Sequence, residues 1–130
     1  MRGFAVAIAV LACAALAGRV FGQEVRPVRP LSGYKCMMLN LTQQQFMTVR
    51  VPVRAQPFAS APEVGWAGAN VAVRYPLHLV NGFIEALFPT GATVWIESDR
   101  LRPYKSLSDP AATCTPAIMS NGKPGLVFAH

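Results

Sequence analysis

Proline, glycine and Asn-Gly pairs leave this chain no room for a long helix. Between Val49 and Tyr104 turn signals recur about every eight to twelve residues, the spacing of short strands in all-β domains. The intervening runs are β-like. Val49–Arg54 (VRVPVR) nearly alternates, and Val71-Ala72-Val73-Arg74-Tyr75 alternates until Pro76 stops it. Asn81-Gly82 predicts a tight turn, Phe83–Phe88 an apolar strand, and Pro89-Thr90-Gly91 its end. Thr93-Val94-Trp95-Ile96-Glu97 is β-branched and aromatic, as strands favour. Ser98–Leu101 predicts a 3₁₀ turn that Pro103 prevents from continuing. The expected fold is a mainly β domain, a small barrel or sandwich.

The flanks differ. Gln23–Gly33 (QEVRPVRPLSG) contains two Arg-Pro steps, which push the preceding residue out of the α region, so 23–33 is expected to be an extended proline-rich arm. Tyr34–Leu41 is apolar and holds Cys36, so it should pack on the core. Thr42 and Gln45 stand at capping-box spacing, predicting one helical turn over Gln43–Met47. Beyond Tyr104, Asn121-Gly122 predicts a turn and Leu126-Val127-Phe128 a last strand.

The N-terminus carries an export signal. Arg2 is followed by the uncharged run Phe4–Ala17, within the ~7–15 residues of a signal-peptide core and short of the ~20 a spanning helix needs. Small residues allow cleavage after Gly22, where the composition changes, or after Ala17. The alternatives are an uncleaved anchor, or lipidation at Cys13 in a sequence that fits a lipobox poorly. Residues 1–22 are therefore expected to be a signal peptide and 34–130 one β domain, periplasmic or secreted, with no membrane span in the mature chain.

Export sets the chemistry of the two remaining cysteines. In an oxidising compartment Cys36 and Cys114 are expected to pair. Loss of Arg2 and Arg19 with the signal lowers the formal charge from +6 to +4. The remaining basic residues are scattered, without the clustered stripe of a nucleic-acid surface.

Taken in order, several of these features resemble the bacterial SH3-like (SH3b) family over about 49–104. Val51-Pro52-Val53-Arg54-Ala55-Gln56-Pro57 matches its first strand and turn, and Val64-Gly65 its next strand. Asn81-Gly82-Phe83, the hairpin from Gly91 to Trp95-Ile96, and the short turn Ser98–Leu101 follow. Phe83 stands where tryptophan is common, Val94 where glycine is usual, and Tyr75–Val80 is longer than the pattern. The resemblance implies a small SH3-like barrel that binds a protein or a cell-wall polymer, with the flanks as disulfide-linked extensions.

No catalytic constellation stands out. His78 lies in an apolar stretch, Glu97 and Asp99 are expected to be solvated, and neither a phosphate loop nor a metal-site spacing is present, so no cofactor is expected. Trp95 and Phe83 are expected in the core, whereas Trp66 and Tyr75 adjoin loops and are candidates for exposure. With Tyr104 and the cations Arg54, Arg74 and Arg100 they form the candidate binding set, the rings as contact anchors and the arginines to complement an anionic partner, a protein or a cell-wall polymer. The leading expectation is an exported, non-enzymatic binding domain; the alternative is a small accessory subunit of a periplasmic enzyme, wrapped onto it by the arm and tail.

Overall fold

β-Branched residues build the centre. The largest fully buried side chains are Ile96, Val51, Val53, Val73 and Val94, whose branching suits a pleated, packed surface. In the computed structural model, which describes residues 24–130, these valines and the isoleucine lie on a large antiparallel sheet. The expected signal peptide, with Cys13, lies outside the described residues.

The strands in chain order are β1 (Pro27–Pro30), β2 (Tyr34–Leu39), β3 (Pro52–Arg54), β4 (Glu63–Trp66), β5 (Asn70–Arg74) and β6 (Leu79–Val80). They continue with β7 (Phe83–Leu87), β8 (Thr93–Glu97), β9 (Leu101–Pro103), β10 (Thr113–Met119) and β11 (Pro124–Ala129). One helical turn, α1 (Gln45–Thr48), follows β2. The large sheet runs β4-β3-β8-β7-β5-β2-β9, with β6 added to β7, and a second sheet runs β1-β10-β11.

The local signals act as expected. Thr42 and Gln45 exchange side-chain hydrogen bonds with each other's backbone N–H, at 2.9 and 3.3 Å. Asn81 and Gly82 both adopt positive φ, 52° and 80°, and close the β6–β7 hairpin with Val80 opposite Phe83. Ser98–Arg100 forms the 3₁₀ turn leading into β9.

Three expectations about architecture need correcting. The large sheet does not close into a barrel, because its end strands β4 and β9 pair with β3 and β2 only. β9 is three residues long and ends at Pro103, which has no N–H to extend a ladder. Second, Tyr34–Leu39 is no appended flank. As β2 it lies between β5 and β9, with Cys36, Met37, Met38 and Leu39 buried. Third, the proline-rich arm is extended but is laid along its own chain. β1 pairs with β10, and Arg26 and Ser120 exchange bonds across the strand end. Prolines are tolerated there because β1 is an edge strand.

Cys36 on β2 and Cys114 on β10 form a disulfide with a Cα–Cα distance of 5.8 Å, linking the two sheets. The bond fits an oxidising environment. No helix among the described residues is long and apolar enough to cross a membrane.

Candidate functional site

Where the C-terminal hairpin of β10 and β11 leans over the large sheet, the two do not meet completely. A cleft of about 300 Å³ remains between them. Its walls are Val71 and Ala72 of β5, Leu87 and Phe88 at the end of β7, Trp66 of β4, and Pro124 to Leu126 of β11. Among the described residues its lining carries no charged side chain. An apolar recess with aromatic walls is the usual form of a site that accepts an apolar group.

Glycine shapes this cleft. Gly65 has φ +149°, a conformation that side chains rarely adopt, and the Phe88 ring lies against it. A β-carbon at Gly65 would sit 3.0 Å from that ring. The Phe88 ring therefore packs against β4 at Gly65, and it lines the cleft together with Trp66. Gly125 performs a similar service on the hairpin, where Met119 crosses the position that its β-carbon would occupy.

Trp66 is 56% exposed, and the Arg50 guanidinium stacks over its ring at 4.1 Å from the centroid. This is a cation–π pair at the rim of the cleft. Leu39, Leu41, Phe46 and Val49 line a second shallow recess beside Arg50 and Trp66.

The candidate binding residues do not converge on one place. Tyr75 is 52% exposed and carries the Lys35 ammonium over its ring at 4.9 Å. Arg54 is turned inward: its Nη1 donates to the Ala61 carbonyl at 3.0 Å, and its guanidinium lies 3.6 Å from Glu63. It holds the loop between β3 and β4. Tyr104 is half-buried and faces Phe128, 6.1 Å between centroids. Arg100 is exposed on the 3₁₀ turn, and Asn40 donates its backbone N–H to the Arg100 carbonyl. Trp66 alone of the six lines the cleft.

Arg74 belongs to a different cluster, centred on Glu85. Glu85 is only 7% exposed, in the middle of apolar β7. Arg74 Nη1 donates to Oε2 at 3.0 Å, and His78 Nδ1 donates to Oε1 at 2.7 Å. Burial alone would raise the Glu85 pKa; the hydrogen bonds and charges of His78 and Arg74 overcome it and hold the carboxyl below its ordinary value. The same carboxylate raises the pKa of Arg74. The His78 ring meets the edge of Trp95, 5.4 Å between centroids, and Glu85 N–H donates to the His78 carbonyl. Among the described residues no hydroxyl or thiol hydrogen-bonds to His78. The cluster fastens the 75–80 loop to β7. Among the described residues no group of three or more His, Cys, Asp or Glu is arranged to hold a metal ion.

Sequence reasoning passed over Glu85, Phe88, Arg50 and Leu126. A single carboxylate inside Phe83-Ile84-Glu85-Ala86-Leu87 was the available signal for the buried cluster. Phe88 and Leu126 carry no local mark, because the cleft arises only when the hairpin folds over.

No protein-family model, curated protein or solved structure matches the chain. What the fold and site define is a class by architecture: a small disulfide-linked β domain with an apolar cleft between two sheets.

Proposed function

We propose that the chain is an exported, non-enzymatic binding domain of SH3-like kind, periplasmic or secreted, that recognises a protein segment through the cleft between its sheets. The single observation that carries this reading is the cleft, an apolar recess walled by Trp66, Phe88 and Leu126 and bordered by Arg50. Aromatic anchors beside a cation are frequent at recognition surfaces. The SH3-like part of the reading is supported by the β7–β8 hairpin, the 3₁₀ turn at Ser98–Arg100 and the short β9 that returns to β2. In this reading the proline-rich arm completes the domain's own sheet and leaves the partner to the cleft.

Site-specific photocrosslinking in the exporting cell tests it. A crosslinker at Leu126 should give one dominant adduct with an exported protein, and one at Leu79, exposed and not among the cleft's lining residues, should not. Purified partner should then bind the purified chain and lose binding to Leu126→Asp. Co-sedimentation with purified peptidoglycan that Leu126→Asp leaves unchanged would overturn the reading.

A further inference from the structure

Strand β11 ends the smaller sheet, so among the described residues one of its edges has no partner strand. Which groups that edge offers follows from the hairpin ladder. Met119 N–H donates to the Lys123 carbonyl at 2.8 Å, so Lys123 faces β10. In an antiparallel ladder the facing residues alternate. Gly125, Val127 and Ala129, opposite Ala117, Thr115 and Thr113, therefore exchange bonds with β10. Leu126 and Phe128 direct both their N–H and C=O groups to the open side, as Pro124 does its carbonyl. The opposite face of the hairpin confirms the phase, since the Pro116 carbonyl, opposite Leu126, points away from β11 and accepts from Leu31 of the N-terminal arm.

An open edge invites strand addition unless something blunts it. Pro124 blunts one end, but Leu126 to Phe128 carry no charge, and Phe128 is 46% exposed. The cleft adjoins the same strand, because Pro124, Gly125 and Leu126 form one of its walls. Backbone groups awaiting partners thus stand beside a recess awaiting apolar side chains, the two requirements of β-strand recognition.

Charge selects among occupants. The described residues carry ten Lys and Arg against six Asp and Glu, and Glu63, Glu85 and Asp109 are already engaged with Arg54, Arg74 and His130. Arg50 at the rim and Lys123 beside Pro124 make no salt bridge among the described residues, and the cleft lining has no acid. A second copy of this cationic domain would bring like charges together. An acidic segment would neutralise them.

We propose that β11 receives an extended segment of an exported partner protein, paired to its Leu126–Phe128 edge. One apolar side chain of that segment enters the cleft, and a neighbouring carboxylate meets Arg50 or Lys123. This rests on the cleft as the binding site and adds the partner's conformation and charge.

Random short peptides selected on the purified chain, with its disulfide intact, provide the probe. Selected peptides should combine an apolar residue with Asp or Glu. N-methylation along one such peptide should weaken binding about tenfold at alternate positions and little between them, the cost of lost backbone hydrogen bonds. Phe128→Pro, which removes an edge N–H, should weaken binding similarly, whereas Phe128→Ala should not. Arg50→Glu combined with Lys123→Glu should shift selection toward basic peptides. If Leu126→Asp abolishes binding but the N-methyl scan is flat, strand pairing is overturned and the cleft reading stands. If Leu126→Asp has no effect, or no peptide is selected, both fail. A sedimenting dimer that Phe128→Pro dissociates would overturn the acidic-segment assignment in favour of a second copy.

Discussion

The ring of Phe88 rests on the backbone of Gly65, so close that a β-carbon there would lie 3.0 Å from it. Gly65→Ala must both strain the backbone at φ +149° and displace the ring. It should cost about 2–3 kcal/mol in urea unfolding and disturb the cleft wall. Phe88→Leu, which leaves room over Gly65, should be the milder change, and a Gly65→Ala protein as stable as the parent would refute the contact.

The Cys36–Cys114 bond spans 78 residues of chain. In the chain-entropy account a loop of this length stabilises by about 4.5 kcal/mol. The double Cys→Ser variant should lower the unfolding midpoint accordingly. Mass spectrometry of the unreduced chain should show two hydrogens fewer than the reduced one.

Glu85 sets an acid limit. A carboxyl held below its ordinary value of 4.5 stabilises the fold above that value, and the contribution is lost as pH falls through it toward the lower folded pKa. Asp109, held low by His130 and the Ala111 N–H, acts in the same direction. Stability followed from neutral pH downward should therefore fall below about pH 4–5. Glu85→Gln should cost about 1–3 kcal/mol at neutral pH, from the unpaired Arg74 and His78 bonds, and flatten the acid slope, leaving the share due to Asp109.

At the β6–β7 turn, Asn81 combines φ 52° with a side-chain bond from Nδ2 to the Pro57 carbonyl at 3.1 Å. Asn81→Ala should cost about 1–2 kcal/mol, chiefly from the left-handed conformation. Asn81→Gly relieves that strain and should recover most of the loss. Equal thermal shifts for the two variants would assign the effect to the hydrogen bond instead.

Features written within a few residues were legible in the sequence. Asn81-Gly82, Thr42 with Gln45, and Ser98–Leu101 each specify a local geometry, and each adopts it. The mainly β class followed from turn spacing, and the disulfide from the expectation of export together with the cysteine number. Barrel closure was not legible, because it depends on β4 meeting β9 across the domain, and no local pattern states that two edges will stay apart. Nor was the direction of an arginine. Arg54, Arg74 and Arg100 read alike in the chain, yet the first is bound to the Ala61 carbonyl, the second to a buried carboxylate, and the third is exposed. The cleft joins Trp66, Phe88 and Leu126, which only the folding of the hairpin brings together.

The sulfur bridge touches β10 at one point, Cys114, opposite Phe128, whereas the cleft wall lies at Pro124 to Leu126 toward the hairpin turn. The hairpin is thus bridged to the large sheet near its base, while at its tip Ser120 is hydrogen-bonded to Arg26 of the N-terminal arm. Reducing that bridge would leave β10 aligned on β2 by non-covalent contacts and the connecting chain segments alone, and the bond itself fits an oxidising environment.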